Sequence, residues 1–128
     1  MKKSIYSKHA PEPIGPYSQA ILTGNTLYVS GQIAMNPGSG DLIKNDIRLE
    51  THQVMKNIQA ILRQAEMDMN AVVKCSIFIR NMDDFKNINE VYAEYFKAEP
   101  PARETIEVNR LPKDVNVEIS CIAVKSDD

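Results

Sequence analysis

The sequence has few of the residues that metal sites and thiol chemistry require. Only two histidines and two cysteines occur among its 128 residues. His9 and His52 lie in segments that look unrelated, and Cys75 and Cys121 each lie in an apolar, strand-like run rather than in a CxxC motif. We therefore expect no metal site and no catalytic cysteine. Both cysteines are interpreted as buried free thiols, which suits a reducing compartment.

The chain also lacks an excess of one charge. Fifteen basic and seventeen acidic residues leave a formal net charge of −2 and a sequence pI near 5.7. No global positive field is present to gather phosphates or anionic lipid, so the composition argues against nucleic-acid binding.

Long apolar runs are missing as well. No window approaches the roughly 18 consecutive apolar residues of a membrane helix, and the N-terminal segment 1–15 has no apolar stretch of signal-peptide type. We expect mature sequence of a soluble, cytoplasmic protein that does not enter a membrane. The 43% hydrophobic content is enough for one continuous core, and there is no repeat, linker or low-complexity tract. The sequence therefore predicts a single domain over 1–128.

Turn residues and apolar periodicity predict the element order βββαβαββ. Strand-like runs at 17–22 and 26–30 flank a hairpin turn, and the turn signal at 36–41 ends this region. Apolar residues spaced by three, four and seven predict a long helix over 46–67, with His52 on its solvated side. The run 72–79 is apolar on both faces, which predicts a central strand covered on both sides.

A second helix and two strands complete the chain. The helix is expected to begin at Asp83 or Asp84 and to be stopped by the prolines at 100–101, and strands are expected at 105–108 and 115–124. This order favours an α+β two-layer sandwich, with both helices on one face of a mixed sheet. The other face is left bare, which predicts self-association with closed symmetry, although composition does not choose between a dimer and a trimer.

Two charged side chains, Arg103 and Glu118, begin or interrupt apolar strands. Strand alternation aims Glu118 away from the helix-covered core, and makes Arg103 and Thr105 project together while Glu104 projects oppositely. The simpler interpretation is an ion pair at a subunit contact, or separate charges on an exposed sheet face. In the functional alternative, the planar fork of Arg103 holds a small carboxylate and Glu118 takes a proton from water.

With these residues in place, the sequence closely resembles the RidA (YjgF) family of reactive-intermediate deaminases. Each motif is weak alone, but together and in order they cover essentially the whole chain. They are Ile14-Gly15-Pro16-Tyr17-Ser18-Gln19, Ser30-Gly31-Gln32-Ile33, Asn36-Pro37, Pro101-Ala102-Arg103 and Leu111-Pro112-Lys113-Asp114-Val115-Asn116-Val117-Glu118.

The resemblance implies a chorismate-mutase-like fold, assembled as a homotrimer around a central β-barrel with active sites in the clefts between subunits. It also implies that the final strand inserts into the middle of the sheet, whereas the order of elements alone suggests a simple hairpin of the last two strands. Arg103 and Glu118 would then approach one cleft from non-adjacent strands.

The same resemblance implies roles for individual residues. Arg103 would bind the substrate carboxylate and Glu118 would position and activate the attacking water. Further cleft residues, some from a neighbouring subunit, would be Tyr17, Ser30, Gly31, Asn89 and Thr105. Without the resemblance, Tyr17 is a strand aromatic, Ser30 and Gly31 end a strand, and Asn89 is a solvated helix residue.

The implied reaction is the hydrolysis of 2-imino acids such as 2-iminopropanoate and 2-iminobutanoate, or their enamino tautomers, to 2-keto acids and ammonia, without a cofactor. Two departures bear on the substrate range, because many relatives have a cysteine at Thr105 and a small polar residue at Glu104. One alternative is a non-enzymatic regulatory trimer that binds a small keto or amino acid in the same cleft. Another is RNA cleavage or translation inhibition, which has been ascribed to relatives and against which the acidic charge argues.

Overall fold

The computed structural model describes residues 1–126, which form one six-stranded sheet and two helices. The strands are β1 (Lys2–Ile5), β2 (Ala20–Thr23), β3 (Thr26–Gln32), β4 (Val72–Ile79), β5 (Ala102–Glu107) and β6 (Val117–Val124), and the helices are α1 (Ile47–Gln64) and α2 (Phe85–Ala93). Short 3-10 turns occupy Met69–Ala71, Met82–Asp84 and Pro112–Asp114. The order βββαβαββ is confirmed, although the sequence analysis assigned no strand to the residues that form β1.

The strand order across the sheet is β1-β2-β3-β6-β4-β5. β6 lies between β3 and β4 and is antiparallel to both, while β4 and β5 are parallel. The simple hairpin of the last two strands is therefore wrong, and the insertion implied by the resemblance is confirmed. Because β4 lies between β5 and β6 in the sheet, the chain has to cross β4 after β5, and the segment 108–116 makes this crossing.

Several boundaries differ from the predicted ones. Tyr17 precedes β2 rather than lying in it, because the chain bends at 14–17 and the Tyr17 N–H donates to the Gly15 carbonyl (2.9 Å). β5 begins at Ala102 instead of 105, so Arg103 lies within the strand. α2 ends at Ala93, well before the prolines. α1 begins after Asp46, whose side chain caps it by accepting the N–H groups of residues 48 and 49.

The core lies on one face of the sheet, as the two-layer prediction requires. Alternate residues of β4 and β6 point into it and pack against the apolar stripes of α1 and α2. The fully buried members include Val54, Ile58, Ile61, Ile77, Ile79, Ile88, Val91, Val117 and Ile119. Cys75 and Cys121 are direct partners across β4 and β6, and both are buried free thiols, as predicted.

The opposite face of the sheet is bare. Tyr28, Ile106 and Val124 expose 42–50% of their surface on it. The prediction that the strand at 72–79 is covered on both faces is wrong for a single chain, because Val73 and Lys74 are exposed. Neither helix within residues 1–126 is long and apolar enough to cross a membrane.

Candidate active site

A cleft of about 340 Å³ opens beside β6 and contains four of the residues singled out from the sequence. Its lining consists of Ile14, Tyr17, Ser30, Gly31, Ile33, Pro112 and Glu118. β3 supplies the floor, the loop before β2 supplies one wall, and the 3-10 turn before β6 supplies another. We call this set the Glu118 cleft.

Glu118 is the one ionisable acid of the Glu118 cleft. It lies on β6 opposite Phe78 of β4 and is partly buried. Burial raises the pKa of its carboxyl above the ordinary value for glutamic acid. No hydrogen bond or ion pair to this carboxylate is formed by any residue from 1 to 126, so it is free to accept a proton from a molecule in the cleft.

Gly31 makes room for this carboxylate. A Cβ atom at position 31 would lie only 1.9 Å from Glu118 Oε2, which is far inside van der Waals contact. The pairing of β3 with β6 shifts register between Val29 and Gln32, which brings the glycine backbone against the glutamate. The glycine is therefore required by a close approach, not by an unusual backbone angle.

The remaining walls are fixed by local hydrogen bonds. Ser30 donates its hydroxyl to the Ser18 carbonyl (2.6 Å), and its N–H donates to the Gln19 carbonyl (2.9 Å). The Tyr17 hydroxyl accepts the Ile14 N–H (3.2 Å) and its ring stays 47% exposed. Tyr17 is thus a loop aromatic at the cleft mouth, and the interpretation as a strand aromatic is wrong.

A second set of groups gathers around Arg103 on β5. The guanidinium carbon lies 5.0 Å from the ring centroid of Tyr92 and 5.6 Å from that of Phe85, both on α2. These distances are typical of cation–π contacts, which fix the plane of the guanidinium without using its N–H groups. Within the part of the chain that the structure describes, Arg103 forms no hydrogen bond or ion pair.

Polar side chains lie on the same faces of β5 and α2 as this arginine and its two rings. The Thr105 hydroxyl is buried and has no hydrogen-bond partner among the described residues, and the buried Tyr92 hydroxyl lies beside the Cys75 thiol. Asn89 is half-buried and lies four residues after Phe85 and three before Tyr92, so it shares their face of α2. It is therefore not the fully solvated helix residue of the simpler interpretation. We call Arg103, Thr105, Asn89, Phe85 and Tyr92 the Arg103 cluster.

One chain does not bring the Arg103 cluster and the Glu118 cleft together. The parallel register pairs Cys75 with Arg103, which places Arg103 and Thr105 on the helix-covered face. Phe78 pairs with Glu118, which lies on the bare face. The predicted alternation is confirmed for each strand, and it puts the two residues on opposite sides of the same sheet.

Glu104 is directed away from Arg103, as alternation predicts. Its carboxylate accepts the Ser76 hydroxyl and lies 3.2 Å from Lys74 Nζ. The hydrogen bond from Ser76, followed by the contact with Lys74, lowers the pKa of Glu104. Glu104 therefore does not compete for the guanidinium within its own chain.

The sequence analysis missed one acidic residue near the site. Glu50 of α1 is fully buried, and its carboxylate accepts the backbone N–H of Asn116 (2.8 Å) and of Val117 (3.2 Å), immediately before Glu118. A signal for this was present, because Glu50 falls three residues after Ile47 and four before Val54, within the apolar stripe of the helix.

Other features carry none of the predicted site residues. His52 is partly buried instead of lying on a solvated side, and its Nδ1 is 2.8 Å from the Tyr95 hydroxyl. A larger open groove of about 590 Å³ is lined by His52, Arg63, Tyr95 and neighbouring residues. No group of three or more histidine, cysteine, aspartate or glutamate side chains suited to a metal ion occurs among residues 1–126.

Fold and site together define a small α+β protein whose sheet carries an arginine on one side and a part-buried glutamate on the other, neither of them paired with another of residues 1–126. The Endoribonuclease L-PSP family model matches residues 7–125, and the chain belongs to this family, which is that of the YjgF/RidA proteins. The family resemblance seen in the sequence is thereby confirmed.

Individual relatives are similar over nearly their whole length. A RutC family protein of Pyrococcus horikoshii is 51% identical, over 98% of this chain and 99% of its own. The human protein named 2-iminobutanoate/2-iminopropanoate deaminase is 41% identical, over 98% of this chain and 91% of its own. A Lactococcus lactis protein that is 45% identical, over 97% and 99%, is named as a candidate regulator, AldR.

Solved structures agree in fold. The Rid-family protein YyfA of Yersinia pestis superimposes with a TM-score of 0.95 at 50% identity, over 98% of this chain and 100% of that one. TdcF of E. coli, solved with bound serine, has a TM-score of 0.93 at 38% identity, over 97% and 99%.

Proposed function

We propose that this protein hydrolyses 2-imino acids, and their enamino tautomers, to 2-keto acids and ammonia, with 2-iminopropanoate and 2-iminobutanoate as substrates. The observation that carries the proposal is the state of Arg103, a guanidinium held by two rings whose N–H groups donate to none of residues 1–126. Such a group suits bidentate capture of a small carboxylate. The name of the human relative supports the same reaction class.

We further propose that the active site forms between subunits of a homotrimer. Arg103 and Glu118 lie on opposite faces of one sheet, so one chain alone cannot present both to one small molecule. A cyclic arrangement lets the Arg103 cluster of one chain meet the Glu118 cleft of the next, and it covers the exposed Tyr28, Ile106 and Val124. The sheets of the three chains then line a central barrel.

Substrate binding uses the Arg103 cluster. The substrate carboxylate accepts two N–H groups of Arg103, and the Thr105 hydroxyl adds a third donor. A buried hydroxyl without a partner costs about 1–3 kcal/mol, and donation to the carboxylate removes this cost for Thr105. Asn89 and Tyr17 close the sides of the cleft. Its walls at Ile14 and Ile33 suit a short apolar side chain on the substrate.

The chemical step uses Glu118. Water adds to C2 of the C=N bond while Glu118 takes one of its protons, and the π electrons of the double bond pass to nitrogen. Glu118 then returns the proton to the nitrogen of the carbinolamine. The C2–N bond then breaks with its electrons going to nitrogen, the hydroxyl proton passes through Glu118 to that nitrogen, and ammonia leaves as the keto group forms. The raised pKa of Glu118 suits both roles, because the group can hold the proton between the two steps.

The reaction demands little further assistance. Imines of this kind hydrolyse in water, so orientation of the reactants and proton transfer are sufficient contributions from a site without a nucleophile.

The test is a competition for 2-aminoacrylate. A serine or threonine dehydratase generates it, semicarbazide traps the imine, and semicarbazone formation is followed by absorbance. We expect the protein to suppress semicarbazone formation, Arg103→Ala to abolish the suppression, and Arg48→Ala to retain it. Arg48 is a matched control because it is a half-exposed arginine on α1 paired with Glu90. Absence of suppression by the folded wild-type protein would contradict the proposal.

The name of the AldR relative favours a second candidate, a regulatory protein that binds a small keto or amino acid at Arg103 without turnover. Equilibrium binding of 2-ketobutyrate, lost in Arg103→Ala, together with no imine hydrolysis would favour this candidate. The name of the family suggests RNA cleavage, but a net charge of −2 argues against binding to a phosphate backbone.

A further inference from the structure

Glu50 forms a clamp on the strand that carries Glu118. Its Oε2 atom accepts the N–H groups of Asn116 (2.8 Å) and Val117 (3.2 Å), and its Oε1 accepts the side-chain amide of Asn116 (2.8 Å). The three donors belong to the two residues directly before Glu118. Glu50 itself is 0% exposed.

Among the described residues, only uncharged donors stabilise this buried carboxylate. None of residues 1–126 forms an ion pair with Glu50, so these N–H groups take the place of the water that burial removed. Hydrogen bonds from N–H groups to a charged acceptor are about twice as strong as neutral ones. Burial of the Glu50 carboxylate would therefore be strongly destabilising without these hydrogen bonds, whereas the complete set holds the start of β6 firmly in place.

The clamped residues are held from two other sides as well. The Asn116 carbonyl accepts the N–H of Arg80 at the end of β4 (3.0 Å), and its side-chain amide also donates to the Lys44 carbonyl (3.3 Å). The start of β6 is thus fixed to α1, to β4 and to the loop before α1. Glu118, in contrast, forms no side-chain hydrogen bond or ion pair with any of residues 1–126, so its position depends on the backbone before it.

We propose that Glu50 is a positioning residue, which fixes the start of β6 so that the Glu118 carboxylate is seated against Gly31. The inference rests on the proposed function, because it assigns Glu50 a part in placing the group that activates water. The Arg103 cluster lies on β5 and α2, so loss of the clamp leaves carboxylate capture intact. Misplacement by about 1 Å can cost about a hundredfold in rate. We therefore expect kcat to fall up to about a hundredfold in Glu50→Ala, with KM unchanged.

Exchanging the acid and amide groups between positions 50 and 116 distinguishes a positioning role for Glu50 from a general loss of stability. In Glu50→Gln the amide oxygen keeps the two backbone N–H groups, but the new NH₂ faces the NH₂ of Asn116, so kcat should fall moderately. In Asn116→Asp two carboxylates face each other, and kcat should fall again. The double variant with both changes restores a donor opposite an acceptor, and its kcat should exceed that of either single variant. Glu66→Gln, at a side chain that is 86% exposed, is the control and should match wild type.

A second readout does not need activity. Burial raises the pKa of Glu118 above the ordinary value for glutamic acid. Loosening the start of β6 should hydrate the carboxyl, so its ¹³C NMR titration should move to lower pH in folded Glu50→Ala and return toward wild type in the exchanged double variant.

These readouts distinguish the two proposals. If wild type fails to hydrolyse imines, the proposed function is wrong, and the titration of Glu118 in the Glu50 variants still decides the positioning role. If folded Glu50→Ala and Glu50→Gln titrate Glu118 as wild type does, the positioning role is wrong. The same conclusion follows if kcat in these variants falls only in proportion to the folded fraction.

Discussion

The guanidinium of Arg103 lies over the ring of Tyr92, with 5.0 Å between its central carbon and the ring centroid. This contact holds the arginine by its face and leaves its edge, where all five N–H groups lie, for a ligand. The Tyr92 hydroxyl lies beside the Cys75 thiol and forms no hydrogen bond with the guanidinium, so the ring and not the hydroxyl supports the arginine.

Tyr92→Phe and Tyr92→Leu should therefore differ. The phenylalanine variant keeps the ring and should leave KM for the imine within about twofold of wild type. The leucine variant loses a cation–π contact of about 0.5–2 kcal/mol, so KM should rise severalfold while kcat changes less. Equal KM values in the two variants, measured on folded protein by the semicarbazone competition, would contradict this assignment.

Gly31→Ala should impair catalysis more than stability. The added Cβ would meet Glu118 Oε2 at 1.9 Å, so the glutamate side chain has to move out of its place. We expect kcat to fall by at least tenfold, with KM less affected. Gly38→Ala in the exposed turn is the matched control, since its nearest contact would be 3.3 Å from a side-chain oxygen. A Gly31→Ala enzyme with wild-type kcat would show that Glu118 does not depend on the space that Gly31 leaves for its carboxylate.

Thr105→Val should weaken substrate capture without weakening the fold. The change removes a buried hydroxyl that has no partner within the described residues, so thermal stability should stay equal or rise. A hydrogen bond to a charged group contributes about 1.5–3 kcal/mol, so KM should rise at least tenfold. Thr105→Ser keeps the hydroxyl and should retain a KM near that of wild type; a Ser variant as weak as the Val variant would count against the hydroxyl contact.

Glu118 and Glu104 both lie on the bare face of the sheet, and their contributions to the free energy of unfolding should change with pH in opposite directions. Burial raises the folded-state pKa of Glu118 above its unfolded value. The contribution of Glu118 to the free energy of unfolding is therefore fully present below the unfolded pKa and is lost as pH rises through the folded pKa. Glu118→Gln should therefore be more stable than wild type at pH 8, and the difference should vanish near pH 3.

Glu104 provides the opposite case. The Ser76 hydroxyl and then Lys74 lower its pKa, so its contribution is present above the unfolded pKa and is lost as pH falls through the folded pKa. Glu104→Gln should be less stable than wild type at pH 8 and equal to it at low pH. Denaturant unfolding of both variants across this range checks the two signs, and a Glu118→Gln variant that is less stable at pH 8 would contradict the first.

The sequence analysis predicted the element order and the direction of side chains within each strand, because both follow from local periodicity. It did not locate β1, since residues 2–5 show no clear alternation, and it placed Tyr17 in a strand although the loop bends there. The face on which Arg103 lies could not be read from its own strand. That face depends on the parallel register with β4, which pairs Arg103 with Cys75 and joins segments far apart in the chain.

Glu50 illustrates the same limit. Its place in the apolar stripe of α1 was visible in the sequence, but its partners are the backbone N–H groups of 116 and 117, more than sixty residues away. Because almost every residue has a backbone N–H group, the side-chain pattern does not show which of them bind Glu50. Only the tertiary structure connects Glu50 with Glu118.

The most direct test of the account is complementation between two inactive variants. Arg103→Ala lacks the carboxylate-binding group and Glu118→Gln lacks the water-activating group, and each alone should fail to suppress semicarbazone formation. After the two are unfolded together in equal amounts and refolded, random trimers should contain about one quarter of sites with Arg103 from one chain and Glu118 from its neighbour. We predict recovery of about that fraction of wild-type activity. Mixed trimers that remain inactive would contradict a site shared between subunits.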